Sequence, residues 1–474
     1  MTTFQPASSK LSRTFSLIKQ ALKGGNHDFT QGSIRRAVLL LAIPMMLEMV
    51  MESVFALVDL YFVGHLPHSS YAIQTVGLTE SVLYVIYSLA IGLSMAATAV
   101  VARRMGEQNP VEAAKAGMQT ISIALIANIV IGGAGFYFAA QILSLMGATA
   151  ETVHLGVNYM RIMMAETIII VLLFLINGIF RGAGNAAIAM RSLFIANVAN
   201  CILCPLLING FGPIPAFGLT GAAMATTLGR GIGVCYQVYH LFNSRNLIKA
   251  RLAYLKPHWE QVKAILKIAL PGIFQFTIGS CSWIFLSRLV AEVGSDHGSA
   301  GYQTAIRLLI FFLLPAWGMS NAAATLVGQN LGAKQPERAE ESVYKTIKYN
   351  MIYMGAVTLI SLLAGRLLAA GFSNDGEVRQ IASKALLIMS TGYIFYGIGM
   401  VMMSAFNGAG DTWATTKLNF IGFWLFQVPL AYVLAKTFNW GITGVFIAIP
   451  ISQTFISVTS YFLFRRGNWK KVKV

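Results

Sequence analysis

The fold of this chain is decided by its first long apolar stretch, AVLLLAIPMMLEMVMESVFALVDLYFV, which runs from Ala37 to Val63. It is long enough to cross a bilayer, because a membrane-spanning helix needs about 20 mostly apolar residues. Yet it contains three carboxylates, Glu48, Glu52 and Asp59, which at about 100° of rotation per residue all lie on one face of the helix. An ionised acid near the centre of a bilayer costs about 2.5–3.5 kcal/mol even on a lenient scale. The stretch therefore predicts a spanning helix whose acidic face lines a wet cavity or binds cations.

The composition indicates a membrane protein throughout. The 474-residue chain is 56% hydrophobic and only 11% charged, whereas soluble domains carry about 25% charged residues. Only helix bundles and closed β-barrels span bilayers, and the long unbroken apolar runs favour helices. We therefore predict an all-α polytopic membrane protein with about twelve transmembrane helices. The formal charge of +17 is explained by basic loops on one side of the membrane, so we expect no nucleic-acid partner.

The apolar runs form two groups of six, separated by a polar and basic stretch from Asn243 to Gln261. The predicted spans of the first group are 36–63, 73–101, 114–143, 153–180, 189–210 and 218–242. Those of the second group are 262–290, 299–328, 343–371, 380–406, 415–436 and 441–464. This pattern divides the chain into a cytoplasmic N-terminal segment (1–35), an N-terminal lobe (36–242), a cytoplasmic linker (243–261), a C-terminal lobe (262–466) and a basic tail (467–474). The N-terminal segment contains a candidate interfacial helix, with disorder as the alternative.

The positive charges orient the bundle. Lys and Arg are concentrated in the N-terminal segment, the linker, the tail and alternate loops, among them the loop that we expect to hold Arg181 and Arg191. The intervening loops around His65, Gly212 and Ser295 hold almost none. Because basic loops stay in the cytoplasm, we expect both termini to be cytoplasmic. The chain is then a multi-pass protein of the cell inner membrane.

Short motifs recur in the two halves in the same order. The motif LAIP corresponds to IALP, FRGAGN to FNGAGD, and GLTG to GITG; with the pair Gly106 and Gly332, the offsets are 223 to 227 residues. Since each half has an even number of spans, both halves insert in the same sense and are related by a pseudo-twofold axis along the membrane normal. We therefore expect two parallel six-helix repeats with the substrate cavity between them. Each Gly-Ala-Gly is expected to form a tight turn.

Together these features resemble the prokaryotic multidrug and toxic compound extrusion (MATE) transporters. The likeness covers nearly the whole chain: two sets of six spans, the proline before the first-span acids, VDLYFVGHL around Asp59, both Gly-Ala-Gly turns and GLTGAAMAT in the sixth span. The resemblance implies an antiporter, not an enzyme, that expels small amphipathic organic cations in exchange for H⁺ or Na⁺ while the two lobes rock. We further expect a lipid bilayer as the surroundings, no cofactor or bound metal, and a monomer.

The same resemblance assigns the cation-coupling residues. The family's first-span aspartate corresponds to Asp59, its fifth-span asparagine to Asn200 and its sixth-span threonine to Thr226. A polar first-span position corresponds to Glu52, but the family's fifth-span acid is replaced here by Cys204. Since a hard cation such as Na⁺ prefers oxygen to sulfur ligands, we predict coupling to H⁺, with Na⁺ as the alternative. Glu52 is then a second proton-handling group, or it only lines the cavity and attracts cations.

Three further polar residues in the spans, Glu48, Glu166 and Gln275, are candidates for the substrate cavity. For Glu48 the alternative is that it reaches the headgroups, and for Glu166 that it forms a structural pair inside the bundle. The main rival function is that of a flippase for a lipid-linked oligosaccharide, from the same broad fold group. A pyrophosphate lipid would need a basic cavity, whereas the spans of the first half are acidic, which favours cationic substrates.

Overall fold

The computed structural model describes the backbone of residues 10–25, 27–64, 69–243, 248–372 and 375–474. Within these ranges the side chains of residues 10–14, 56–60, 63–64, 69–71 and 73 lie outside the description. This set includes Asp59, so the predicted coupling acid is placed only through the backbone of its helix. The predicted outer loop around His65 also lies outside the described residues.

Almost all of the described chain is helical, because in a bilayer every backbone N–H and C=O group must find its partner within the protein. The α-helices of the described ranges are α1 (Lys10–Lys23), α2 (Ile34–Gly64), α3 (Ser69–Gly106), α4 (Pro110–Tyr137), α5 (Ala139–Leu145), α6 (Ala150–Gly182), α7 (Ala186–Asn209), α8 (Gly218–Phe242), α9 (Trp259–Val293), α10 (Asp296–Gly332), α11 (Pro336–Ala370), α12 (Gly376–Ser390), α13 (Tyr393–Ala409), α14 (Thr412–Asn419), α15 (Val428–Tyr432) and α16 (Ile442–Arg465). Short 3₁₀ turns lie at Leu252–Leu255 and Asn468–Lys471, and an isolated β-bridge joins Phe211 and Ile214.

The long apolar helices are the candidate membrane spans. Within the described residues, ten helices are long and apolar enough to cross a bilayer, and the bent pair α12–α13 is an eleventh. The twelfth, α8, has the length of a span, but its Gly and Thr residues and Arg230 lower its mean hydropathy. The predicted fold class, about twelve helices in two sets of six, is thus confirmed.

Each set of six helices forms a lobe around its own apolar core. In the N-terminal lobe α3 packs against α6, and α7 packs against α8; in the C-terminal lobe α10 packs against α11 and α13. The lobes meet reciprocally, since α2 packs on α10 and α3 packs on α9. Because α2 corresponds to α9 and α3 to α10 in the repeat, this exchange is what a pseudo-twofold axis between the halves requires.

The two lobes approach very closely at the end of the bundle where α3 and α10 finish. A Cβ atom on Gly106 would lie 1.9 Å from the backbone oxygen of Gln329, and one on Gly332 would lie 2.2 Å from that of Arg103. A side chain does not fit between backbones at this distance. The matched glycines of the two repeats therefore allow the helices to cross, and they close this end of the bundle.

Both Gly-Ala-Gly segments are tight turns between consecutive spans, as predicted. The second glycine of each, Gly184 and Gly410, has a φ angle of +86° and +87° respectively, in the left-handed region that glycine adopts without strain. The prediction that Arg181 lies in the first of these loops was wrong, because this residue lies inside α6 and is buried. It is drawn into the bundle by Glu48 of α2, with which it forms an ion pair.

Residues 20–25 and 27–33 tie the N-terminal end of the chain to both lobes, and we call them the N-terminal clasp. Arg191, also expected in a loop, lies within α7 and donates hydrogen bonds to the last carbonyl groups of α1 at 2.6 and 2.7 Å. Arg338 of α11, in the other lobe, donates to the backbone oxygens of Phe29 and Gln31 at 3.2 and 2.9 Å. The clasp thus spans the junction at the closed end.

Residues 466–474 make the reverse connection, and we call them the C-terminal clasp. The buried Trp469 stacks on Phe464 of α16 with ring centroids 4.7 Å apart. The chain then crosses to the N-terminal lobe, where Arg103 of α3 donates to the backbone oxygen of Val472 at 2.7 Å. Each terminal segment is therefore bound to the lobe to which it is not covalently attached.

The tenth span differs from the single helix, 380–406, that the sequence predicts. Its two parts, α12 and α13, meet at an angle of 57°. A Cβ atom on Gly392 at the break would lie 2.7 Å from the Cα atom of Pro450 on α16. The glycine thus allows close contact with α16 at the point where the span bends. The next span contains π-helical stretches, Phe420–Gln427 and Val433–Thr437.

Candidate functional site

A cluster of buried charges in the N-terminal lobe is centred on Arg230 of α8. Its Nη1 atom donates to Oε1 of Glu166 on α6 at 3.1 Å, and the hydroxyl of Thr227 donates to Oε2 of the same carboxylate at 3.2 Å. Its Nη2 atom donates to the hydroxyl of Tyr87 at 3.2 Å and lies 4.0 Å from Oε1 of Glu52. One guanidinium group therefore serves two acids from different helices.

The surroundings of Arg230 explain why a charge is stable at this depth. The Glu166 side chain is fully buried and that of Arg230 is nearly so, while that of Glu52 is about one-fifth exposed. The guanidinium also lies 4.6 Å from the centroid of the Phe55 ring, a cation–π geometry. Removing a charge from water is compensated only by close and hydrogen-bonded partners, and this cluster provides them. Glu166 thus forms the structural pair that was left as its alternative role.

The residues that the family resemblance assigns to cation coupling lie on α2, α7 and α8. The amide of Asn200 lies 3.4 Å from the hydroxyl of Thr226, and both residues are buried. Cys204 is fully buried one turn beyond Asn200. The side chain of Asp59 is outside the description, so its distance to this pair remains a prediction. Glu52, on the same helix as Asp59, faces the cluster around Arg230 instead.

A second buried pair joins Glu48 of α2 to Arg181 of α6. The Oε1 atom of Glu48 accepts hydrogen bonds from Nη1 of Arg181 and from the side-chain amide of Asn177, each at 3.0 Å. The Nη2 atom of Arg181 donates to the hydroxyl of Ser94 on α3 at 2.9 Å. Glu48 is 1% exposed, so it faces protein, not the headgroups.

Sequence reasoning missed both arginines. Arg230 interrupts the apolar residues of the sixth span within LGRGIG, four residues after Thr226, and Arg181 ends the fourth span. The acids in the spans were the sequence feature that could have indicated these arginines, since charges inside a membrane almost always occur with a partner. Three acids in the first span required arginines somewhere in the bundle.

A cavity of about 220 Å³ lies between the two lobes, close to the Glu48–Arg181 pair. Its wall combines aromatic rings, methionine side chains, carboxamides and hydroxyl groups: Phe174, Phe276, Trp317, Tyr396, Phe423, Met49, Met95, Met400, Met403, Gln275, Asn321, Asn407, Asn419, Gln453, Ser94, Thr98 and Ser404. Arg181 is the one charged residue of this wall within the described part of the chain. Such a surface offers apolar contact together with dispersed hydrogen-bonding groups, which is typical of sites for small organic molecules.

The three residues expected in the cavity are placed differently. Gln275 of α9 lies in the wall, where its Oε1 atom accepts a hydrogen bond from Thr415 at 2.8 Å. Glu48 lies behind the wall, next to Met49 and paired with Arg181. Glu166 is not part of the wall, because it is held by Arg230.

In the part of the chain that the structure describes, no cluster of three or more His, Cys, Asp or Glu residues could hold a metal ion. None of the four cysteines forms a disulfide, and Cys204 is buried while the other three are exposed.

Comparison with known proteins places this architecture in a family. A family model described as MatE matches residues 44–206 and again residues 271–433, so it occurs once in each lobe. The chain is 25% identical to "Probable multidrug resistance protein NorM" of Thermotoga maritima over 438 residues, which cover 92% of this chain and 94% of the relative. It is 24% identical to the "FAD transporter" of Shewanella oneidensis over 445 residues, 93% of this chain and 96% of that one.

Solved structures agree with this assignment. An outward-facing multidrug resistance MATE family transporter of the MOP superfamily superposes with a TM-score of 0.87 at 26% identity, covering 94% of this chain and 98% of the other. The related structures share twelve transmembrane helices in two repeats, the arrangement described above. The chain therefore belongs to the MATE family of membrane transporters and is not an enzyme.

Proposed function

We propose that this multidrug efflux transporter exchanges small amphipathic organic cations for H⁺ by alternating access between its two lobes. The observation that carries the proposal is the cavity between lobes that are closed at one end, with the buried acid Glu48 of α2 beside it. Closure at the glycine contacts of α3 and α10 separates the cavity from the basic face of the bundle. Rocking of the lobes about this cavity would expose it to each side in turn.

The coupling site that we propose comprises Asp59, Glu52, Asn200 and Thr226, with H⁺ as the coupling ion. Two features disfavour Na⁺. Cys204 replaces an oxygen ligand with sulfur, which a hard cation binds poorly. Arg230 already places a positive charge 4.0 Å from Glu52, so a metal ion there would meet electrostatic repulsion. A proton, unlike Na⁺, does not need several coordinating oxygen atoms around it.

Cationic substrates suit the composition of the cavity wall. The faces of Phe174, Phe276 and Trp317 offer cation–π contacts, and the four methionines adapt to varied shapes. The charge of Arg181 is offset by Glu48, so it does not by itself exclude a cation. We propose that the protein works as a monomer in the inner membrane, with both termini and the closed, basic end in the cytoplasm.

The test is transport in proteoliposomes of the full chain, with a pH gradient and a Na⁺ gradient imposed separately. We expect a pH gradient alone to drive export of an organic cation. The Asp59→Asn variant keeps the size of the side chain and removes its charge, so we expect it to fold but to lose gradient-driven export. Export driven by Na⁺ without any response to the pH gradient would contradict the proposal.

A second candidate is export of a flat anionic molecule, because Arg181 is the charged residue of the wall and several carboxamides surround it. A relative named as a FAD transporter makes a flavin nucleotide the natural probe. Proteoliposomes loaded with FAD or with an organic cation distinguish the two candidates. Export of FAD with no export of the cation would favour the second.

A further inference from the structure

The Glu48–Arg181 pair connects a buried acid to the wall of the central cavity. Both hydrogen bonds that reach Glu48, from Asn177 and Arg181, are accepted by its Oε1 atom. Its Oε2 atom is buried and has no hydrogen-bond partner among the described residues. A carboxylate oxygen can accept further hydrogen bonds or a proton, so Oε2 has bonding capacity that no described residue uses. A proton can be added to it without breaking either existing hydrogen bond.

We propose that Glu48 takes up a proton on Oε2 and thereby switches the net charge of the central cavity. With Glu48 ionised, its charge and that of Arg181 cancel, and an organic cation enters a neutral cavity. When a proton adds to Oε2, the carboxylate becomes a neutral carboxylic acid, while Arg181 stays protonated because arginine does not lose its proton in proteins. The cavity then contains an uncompensated positive charge that repels the bound cation. The inference rests on the proposed H⁺-driven export and assigns it a second proton site.

The charges around Glu48 are compatible with this exchange. The charged groups that act on Glu48 are Arg181 from α6 and Glu52, one turn further along α2. Glu52 is itself faced by Arg230 from α8. Four other elements packed on α2 contribute uncharged groups in their described parts. Ser94 of α3 bonds to Arg181, Asn197 of α7 donates to the backbone oxygen of Met51, and α10 and α11 contribute Met319 and Tyr353 to the apolar cluster around α2. Loss of the Glu48 charge therefore leaves Arg181 without its ionic partner.

Because Arg181 lies in the cavity wall, a bound substrate experiences the change in net charge of the pair. The Arg181 side chain is in the wall that also contains Phe174, Phe276 and Trp317, the rings that we expect to contact a cation. Charges interact strongly in such a partly dehydrated space. Proton uptake at Glu48 and release of the cation are then competing events at one site. This competition is the property that an exchanger of cations for protons requires.

The test uses two probes of nearly equal size and opposite charge, tetraphenylphosphonium and tetraphenylborate. Their equilibrium binding to the purified full chain is measured from about pH 8 to about pH 5. As the pH falls, we expect the wild type to bind the phosphonium about tenfold more weakly and the borate more tightly. Glu48→Gln keeps the size of the side chain without its charge, so it should show the low-pH affinities throughout.

A control variant and two distinct outcomes make the test decisive. The double variant Glu48→Gln, Arg181→Gln has no charge at the pair and should show neither trend, and it remains measurable if the single variant folds poorly. A wild-type pH dependence that persists unchanged in Glu48→Gln would overturn the switch, because the titrating group then lies elsewhere, at Asp59 or Glu52. Failure of the proposed function has another signature, since wild-type proteoliposomes would then show no export driven by a pH gradient.

Discussion

Four ionisable side chains in the N-terminal lobe are arranged as two buried pairs, each joining an acid of one helix to an arginine of another. Glu48 is paired with Arg181 at 3.0 Å and Glu166 with Arg230 at 3.1 Å. Breaking such a pair leaves a bare charge inside the bundle, which costs more than the intact pair contributes. The arginines therefore fix how α2, α6 and α8 pack, as well as balancing charge.

We expect Glu166→Gln to destabilise the protein by about 3–5 kcal/mol, because Arg230 then loses the carboxylate that lies 3.1 Å from it, and Glu52 lies farther away at 4.0 Å. The double variant Glu166→Gln, Arg230→Met should cost less than the single change, since the nearly buried guanidinium is removed and the charge that remains, on Glu52, is about one-fifth exposed. Thermal unfolding in detergent measures the loss of stability in the single and the double variant. Equal losses in the single and double variants would show that the pair acts only through packing.

The inward-facing acids could be predicted from the sequence, but their partners could not. Glu48 and Glu52 lie in an apolar span, where the cost of a charge already requires a partner. The partner of Glu48 is 133 residues away, and only the packing of α2 on its neighbours brings Arg181 there. Arg181 also directly precedes a Gly-Ala-Gly turn, which made a loop position the simpler interpretation. Glycine motifs define a turn well, but they do not show how deep the preceding residue lies.

At the scale of helices, the crossing of α3 and α10 depends on backbone contact at matched glycines. We expect Gly106→Ala to disfavour the closed arrangement, because the added Cβ would lie 1.9 Å from the backbone oxygen of Gln329. Gly355→Ala on α11 is the matched control, since its Cβ would meet nothing within 4 Å and alanine favours a helix by about 1 kcal/mol.

Distances between spin labels on the two lobes at the closed end measure this effect. We expect a longer distance in Gly106→Ala and an unchanged distance in Gly355→Ala. If the two variants give the same distance as the wild type, α3 and α10 can slide apart without opening the lobes.

The start of α12 has a pH-dependent cap outside the spans. The backbone N–H groups of Val378 and Glu377 donate to Asp375 and hold the pKa of its carboxyl below its usual range. A lowered pKa stabilises the fold above the unfolded-state pKa, and this contribution is lost as the pH falls through the folded-state value. Hydrogen exchange at these two amides should therefore be slower in the wild type than in Asp375→Asn at neutral pH. The difference should begin to shrink near pH 3.8, the ordinary value for an aspartate, and vanish only once the pH has fallen below the lower folded-state pKa.

At the scale of the whole molecule, the two clasps link the lobes at the end that must open during transport. Arg338 donates to two backbone oxygens of the N-terminal clasp. We expect Arg338→Ala to loosen this end, so that a cysteine placed at Ala324 in the cavity wall reacts faster with an impermeant thiol reagent in inside-out vesicles. Lys345→Ala, at an exposed position on the same helix as Arg338 and outside both clasps, should leave the rate unchanged. A cysteine-free background is required, because the chain has four native cysteines.

The orientation of the bundle gives a prediction that is independent of mechanism. With both termini cytoplasmic, a cysteine at Ser69, where α3 begins, should react with an impermeant thiol reagent added to whole cells. A cysteine at Lys249, in the linker, should react only after the cells are opened. The reverse pattern would invert the orientation and the direction of transport.

Much of the fold could be predicted from the sequence, because span length, hydropathy and repeated glycine motifs are local properties. The break between α12 and α13 could not, since it depends on how Gly392 meets Pro450 of α16. The clasps were missed for a similar reason. Their acceptors are backbone carbonyl groups, which every residue carries and which no sequence pattern marks.

The cancelled charges of Glu48 and Arg181 have an electrical consequence. A cavity that moves outward with a monovalent organic cation and an ionised Glu48 carries a single positive charge, and so does an empty cavity that returns with Glu48 protonated. Moving one elementary charge through 100 mV is worth about 2.3 kcal/mol, but equal charges moving in both directions do no net work against the membrane potential. This part of the cycle is therefore electroneutral and draws on the pH difference alone. Any voltage dependence of turnover would then report on protons carried elsewhere in the N-terminal lobe.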